Sequence, residues 1–121
     1  MVEANKVIYR ELKKLNISVF DTKPQYSTQY PFITYDISES YRSVSPIIYK
    51  LTVNVWTKGG NYELLEDISQ KVNKLLYDSV FYGEDIAIKS KKMYEERIPD
   101  EDYEVKRKEI AYQLRRFNIK D

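Results

Sequence analysis

The sequence has 121 residues, of which 42% are hydrophobic and 32% are charged, with 20 basic residues against 19 acidic ones. This length predicts a single domain over residues 1–121, and the balanced charge argues against the basic excess typical of a nucleic-acid binder. The absence of cysteine and histidine excludes disulfides, thiolate metal sites, cysteine nucleophiles, histidine triads and histidine-dependent zinc sites.

The N-terminal segment predicts an amphipathic helix rather than a targeting sequence. Between residues 2 and 15, Ala4, Ile8, Leu12 and Leu15 share one helical stripe, and the basic residues lie largely off it. The charges leave no apolar core for a signal peptide, and no stretch approaches the roughly 20 apolar residues that span a bilayer. We therefore expect no membrane contact.

The middle of the chain predicts an antiparallel pair of strands. An optional short strand at residues 17–20 precedes a loop at residues 21–31 that is rich in proline, serine and tyrosine. Residues 31–41 and 47–57 then alternate apolar and polar side chains with a period of two. The apolar faces are Ile33, Tyr35 and Ile37 in the first run and Tyr49, Leu51, Val53 and Val55 in the second.

A glycine turn is predicted to join the second strand to a second helix. Gly59 and Gly60 permit the chain reversal, Asn61 is a suitable N-cap, and residues 64–76 follow helical spacing. The glycine pair lacks both the P-loop pattern and the three-glycine dinucleotide fingerprint, so a turn is favoured over a phosphate-binding loop. Trp56 is interpreted as a packing or interface residue rather than a platform for a ligand.

The last third of the chain predicts a hairpin with polar faces. Residues 85–96 and 106–117 alternate, and the acidic segment 95–105, which contains Pro99, predicts an exposed loop between them. From Glu84 to Glu109, 16 of 26 positions are charged, which is typical of either a solvated face or a partner surface. The predicted fold class is α+β, a two-layer sandwich in the order α-β-β-α-β-β. Its antiparallel sheet has about four strands, with two helices packed on one face.

The chain resembles the tail-completion and tail-terminator family of long-tailed bacteriophages and prophages over roughly residues 5–118. The resemblance rests on "VFDTKPQYSTQYPFITYDI", on "KLTVNVWTKGGNYELLEDISQKVNKLL" and on the final strand at Arg115 to Phe117. It implies a non-enzymatic morphogenetic protein without a cofactor. It also implies a ring of about six copies at the head-proximal end of the tail tube, which terminates the tail or joins it to the head.

This resemblance also implies partners and a location. The partners are further copies of the chain, the tail tube protein and the head connector proteins, with DNA only passing through the channel. The location is the tail or neck of a virion assembled in the bacterial host cytoplasm.

Two sets of residues are candidates for contacts in such an assembly. Loops at residues 21–31 and 38–46 and the acidic loop are candidate interfaces, because loop tyrosines add contact area at low entropic cost. Local packing of the tyrosines is the alternative. The candidate interface residues are Tyr26, Tyr30, Tyr41, Arg42, Glu95, Glu96, Asp100, Glu101 and Asp102, and the candidate lumen or DNA-facing residues are Lys89, Lys91, Lys92, Lys106, Arg107 and Lys108.

Two other classes of function stay open on the sequence. A small binding module, such as an antitoxin or a host-factor inhibitor, would share the fold class and bind one partner without forming a ring. A nucleic-acid binder would place two basic triplets, Lys89, Lys91 and Lys92 in one strand and Lys106, Arg107 and Lys108 in the next, side by side on paired strands. Consecutive acids such as Asp100, Glu101 and Asp102 are more typical of a solvated loop than of a cation site, so no catalytic or metal-binding residue is predicted.

Overall fold

The computed structural model describes residues 2–25, 28–41 and 47–119, apart from the side chains of Ser40 and Tyr41. Over these residues the chain forms two helices and six strands. In chain order they are α1 Val2–Lys13, β1 Ser18–Asp21, β2 Phe32–Tyr41, β3 Ile47–Lys58, α2 Glu63–Leu76, β4 Val80–Tyr82, β5 Ile86–Ile98 and β6 Val105–Asn118.

The strands form one curled, mixed sheet in the order β1-β2-β3-β6-β5-β4. The prediction of a four-stranded antiparallel sandwich is therefore wrong, because the sheet has six strands and β1 runs parallel to β2. The two added members are edge strands of only four and three residues: β1, which overlaps the optional strand predicted at residues 17–20, and β4, which was not predicted. Strands this short show too little alternation to be recognised, and their pairing depends on the long strands beside them.

The central pairings follow the predicted alternation. β2 pairs with β3 and β5 pairs with β6, both antiparallel. The second hairpin is longer than predicted, because its ladder continues to the pair Ile98 and Arg107. The prediction that the loop begins at Glu95 is thus wrong. A register shift between Lys92 and Tyr94 interrupts the alternation there, and charged side chains cover both faces of the strand beyond it.

The first helix is fastened to the sheet by a short polar chain. The Tyr35 hydroxyl donates to Asn5 Oδ1 at 2.7 Å, and Asn5 Nδ2 donates to Asp21 Oδ2 at 2.8 Å. Burial, with the nearby charge of Asp21 and Tyr9, raises the pKa of Tyr35 to about 12. The chain leaves the helix through Asn16, whose φ of 57° lies in the left-handed region that asparagine tolerates.

The glycine turn and α2 form as predicted, with two exceptions. The N-cap of α2 is Tyr62, which makes no side-chain capping bond, so the prediction of Asn61 as the N-cap is wrong by one residue. Gly59 and Gly60 have φ values of 76° and 66°, and Asn61 Oδ1 accepts the Glu63 amide at 2.9 Å. The second exception is Leu64, which is 48% exposed although it belongs to the predicted apolar set.

Both helices cover the same face of the sheet, and the core lies between the helices and that face. The largest fully buried side chains of this layer come from every strand of the long pairs, so the alternation predicted for β2, β3 and β6 is confirmed. They include Tyr35, Tyr49, Leu51, Ile88, Ile110 and Tyr112. The opposite face has no covering helix in the described part of the chain. Neither helix there is long and apolar enough to cross a bilayer.

Candidate functional site

On the helix side, the far half of the β5–β6 hairpin is attached to α2 by an ion-pair cluster of Glu66, Lys92, Glu95, Arg97 and Lys108. Lys108 Nζ lies 2.5 Å from Glu66 Oε1 and 2.6 Å from Glu95 Oε2, and only 12% of its side chain is exposed. Lys92 also pairs with Glu95, and Arg97 Nη2 lies 3.0 Å from Glu66. Because the two carboxylates share three cations, the hairpin is held firmly against the helix.

The protonation equilibria of the cluster reflect this pairing. Burial by itself would raise the pKa of Glu95, but hydrogen bonds from Lys108, Lys92 and Asn73 outweigh it and lower the pKa to about 2. The hydrogen bond from Lys108 likewise lowers the pKa of Glu66. For Lys108, the opposing effect of burial is overcome by its two carboxylate partners, which raise its pKa. These shifts keep Glu66, Glu95 and Lys108 ionised near neutral pH.

The turn at the far end of the same hairpin, residues 99–104, is an exposed acidic tip. It carries Asp100, Glu101, Asp102 and Glu104, and none of them forms an ion pair with another described residue. The tip is ordered by its own backbone bonds, since Asp100 Oδ1 accepts the Asp102 amide and Asp102 Oδ1 accepts the Glu104 amide, both at 3.0 Å. Its preformed shape leaves the carboxylates available to a partner.

The near end of the hairpin carries a basic patch on the face without helices. Lys89 pairs directly with Arg115 across the strands, and Lys91 lies two residues farther along the same face. All three are exposed, and no ion pair joins any of them to the rest of the described chain. With Asp78 and Gln113 they line a depression of about 500 Å³. Because like charges directly opposite each other repel, this patch favours binding of an anion.

A row of aromatic rings covers the other end of the helix-free face. Trp56 stacks on Phe32 with centroids 5.7 Å apart, and its Nε1 donates to Thr34 Oγ1 at 3.1 Å. The Arg107 guanidinium lies 4.8 Å from the Trp56 ring and donates to Asn54 Oδ1 at 2.8 Å. These contacts give Trp56 a packing role, and Gly59 beside it donates to the Glu104 carbonyl at 2.8 Å.

The predicted interface residues are divided among several places. Tyr26 and Arg42 fall outside the described residues, as does the side chain of Tyr41. Tyr30 is 39% exposed and lies against Phe32, with ring centroids 5.1 Å apart. Glu95 belongs to the ion-pair cluster. The exposed Glu96 lies in β5, and only Asp100, Glu101 and Asp102 occupy the tip.

The two basic triplets do not meet on paired strands as the nucleic-acid alternative required. Lys91 pairs with Gln113, whereas Lys108 pairs with Arg97 near the tip. Within the first triplet, Lys92 turns to the helix side and leaves Lys89 and Lys91 in the patch. Within the second, Lys106 lies 5.4 Å from the Tyr62 ring, Arg107 contacts Trp56 and Lys108 enters the cluster.

Arg115 is the patch residue that the candidate set missed. Alternation alone placed it on the polar face of the last strand, but only the register of β5 against β6 puts it opposite Lys89. Glu66, in the first turn of α2, was also absent from the candidate set, and its part in the cluster depends on the docking of α2.

Several solved structures share this fold, and two of them illustrate the likeness. A chain in the virion of a native gene transfer agent particle superimposes with a TM-score of 0.74 at 10% identity, and the match covers 92% of each chain. A second structure, of a protein whose name describes no activity, gives a TM-score of 0.75 at 9% identity over 99% of this chain and 94% of that one. No family model and no curated protein matches the sequence. At such low identities the likeness establishes a common fold alone.

Proposed function

We propose that this protein is a structural component of a phage-like virion and has no enzymatic activity. The observation that carries the proposal is the superposition on a chain of a gene transfer agent virion across 92% of both chains. Fold likeness does not transfer function by itself, so the surfaces of this chain must supply the rest of the argument. They supply exposed, ordered and oppositely charged regions at the two ends of one hairpin.

More specifically, we propose that the chain forms a ring at the head-proximal end of a tail tube, where it terminates the tail or joins it to the head. Each subunit of a ring needs two different complementary surfaces, because a head-to-tail contact joins unlike patches. The acidic tip and the basic patch are two such surfaces on one rigid chain. The partners in this proposal are further copies, the tube protein and the head connector proteins, within a virion assembled in the host cytoplasm.

Native mass spectrometry over a range of protein concentrations, with negative-stain images of the largest species, tests this proposal. A closed ring, or a ring formed when the protein is added to purified tails that lack it, is the expected result. A protein that stays monomeric alone and does not bind such tails would contradict the proposal and favour the small binding module.

The tyrosines of the predicted interface provide a second test of the same proposal, although Tyr41 ends β2 and does not lie in the loop predicted at residues 38–46. We expect that Tyr26→Ser, Tyr30→Ser and Tyr41→Ser together leave the fold intact and abolish assembly, because tyrosines contribute strongly to interfaces. The matched control is Tyr103→Ser, since Tyr103 is 87% exposed but lies in the acidic tip. Circular dichroism checks the fold, and assembly that is unchanged by the triple substitution would remove these loops from the interface.

A further inference from the structure

We infer that the acidic tip of one copy docks on the basic patch of the next copy, so that one charge-complementary contact builds the assembly. This inference rests on the self-assembly in the proposed function and names the surfaces that produce it. The tip, residues 99–104, contains four carboxylates and no basic residue. The patch contains Lys89, Lys91 and Arg115 beside one carboxylate, that of Asp78.

The two surfaces lie too far apart to meet within one chain. Ile98, where the paired strands end, lies seven positions after Lys91 in β5, which corresponds to about 20 Å at the rise of a strand. The hairpin is unable to fold back, because β6 pairs with β3 as far as Lys58 and Val105. Lys108 and Arg97 also attach it to α2 through Glu66. Asp100 of the tip borders a second pocket with Arg97, Lys106 and Arg107 of its own chain, but the tip can reach the patch of Lys89, Lys91 and Arg115 only on another copy.

Both surfaces are prepared for a partner before they meet one. The tip is ordered by the bonds from Asp100 and Asp102 to backbone amides, so little conformational entropy remains to be lost on docking. On the patch, Lys89 and Arg115 face each other across the strands with no carboxylate of the described chain in ion-pair contact. An anionic segment in the depression relieves that repulsion.

A contact between the tip of one copy and the patch of the next is heterologous, so it can be repeated from copy to copy. The copies form a closed ring only when the rotation between neighbouring subunits adds up to a full turn. A second copy fits the patch better than a nucleic acid does for one reason. Every subunit brings its own acidic segment at a concentration equal to that of the patch, in the fixed geometry that a closed ring requires. Binding of nucleic acid is retained as an outcome of the test.

Two charge-changed variants test the contact. The patch variant combines Lys89→Glu, Lys91→Glu and Arg115→Glu. The tip variant combines Asp100→Asn, Glu101→Lys, Asp102→Asn and Glu104→Lys, in which the asparagines keep the side-chain acceptors that order the turn. Each variant alone should be monomeric, because its own tip and patch carry the same sign of charge.

An equimolar mixture of the two variants should assemble again. The unchanged tip of the patch variant fits the unchanged patch of the tip variant, and the two altered surfaces also attract each other. Native mass spectrometry should then show only species with equal numbers of both variants. A control for the patch variant combines Lys6→Glu, Lys23→Glu and Lys71→Glu. It makes the same change in net charge as the patch variant, but at exposed positions outside the patch, and it should assemble like the wild type.

The outcomes separate this inference from the proposed function. A wild-type ring with an equally competent patch variant would overturn the inference and leave the proposed function standing. Wild-type protein and mixture that both remain monomeric at low ionic strength would overturn the inference. The proposed function would fail with it only if purified tails also do not bind the wild type. Unchanged assembly of the patch variant, together with lost binding of a single-stranded DNA oligonucleotide, would assign the patch to nucleic acid instead.

Discussion

The two faces of the β5–β6 hairpin differ in how their lysines are placed: on one face a lysine is paired and largely buried, and on the other the lysines are exposed. On the helix side, Lys108 lies between two carboxylates and only 12% of its side chain is exposed. On the helix-free side, Lys89 and Lys91 of the same hairpin are exposed and have no carboxylate partner among the described residues. The difference shows that a run of charges along a strand is divided by the pleat into a part that stabilises the fold and a part that is left for a partner.

Removal of Lys108 should give the largest effect on stability. Lys108→Met leaves Glu66 and Glu95 close together without their shared cation, and we expect a loss of about 3 kcal/mol in the free energy of unfolding. Urea denaturation followed by circular dichroism measures it. The matched control is Lys91→Met on the opposite face, for which a change within about 0.5 kcal/mol is expected. Equal losses of unfolding free energy in Lys108→Met and Lys91→Met would show that the two faces of the hairpin do not differ in this way.

Trp56→Ala should destabilise the protein by about 2 kcal/mol, because it removes a stacked ring and a hydrogen bond from a packed region of the helix-free face. Thermal or urea unfolding provides the measurement. Tyr103→Ala serves as the control, since its ring is almost fully exposed and its loss should leave stability unchanged. A stable Trp56→Ala variant would mean that the aromatic row is a binding platform rather than a packed layer.

Acid should remove the contribution of Glu95. Its pKa is lowered from 4.5 to about 2, so the carboxylate stabilises the fold above pH 4.5 and this contribution is lost as the pH falls toward 2. The difference in unfolding free energy between wild type and Glu95→Gln, about 1–2 kcal/mol at neutral pH, should therefore shrink across that window. When both proteins also carry Lys108→Met, the difference in unfolding free energy caused by Glu95→Gln should be smaller at every pH. If the stability curves of wild type and Glu95→Gln stay parallel down to pH 2, the pairing of Glu95 is contradicted.

The smallest effect is expected in the basic patch. Lys89→Ser should increase the unfolding free energy by a few tenths of a kcal/mol (about 0.2–0.5) at low ionic strength, because it relieves repulsion from Arg115. The gain should vanish in high salt, where exposed charges are screened. Lys23→Ser is the control for a general change in net charge. A loss of stability in Lys89→Ser would show that the lysine has a stabilising role within the monomer.

Local patterns predicted much of the backbone but little of the candidate site. The glycine turn follows from Gly59 and Gly60, and the strand pairing of the centre follows from alternation that placed Leu51, Val53 and Ile110 in the core. The ladder beyond Tyr94 was not predicted, because a bulge and charged side chains on both faces conceal the period of two. The two partners of Lys108 come from two separate segments, α2 and β5, and no local pattern joins them to it.

The sequence by itself determined the classes of chemistry that are excluded, the two amphipathic helices and the long alternating strands, because composition and side-chain period are local properties. Tertiary structure alone decided the pairing of the edge strands, the opposite fates of Lys91 and Lys92, and the meeting of Lys89 with Arg115. The physical reason is that strand register and helix docking are set by the whole core. A shift of one residue in the register would exchange the charges that are paired for those that are free.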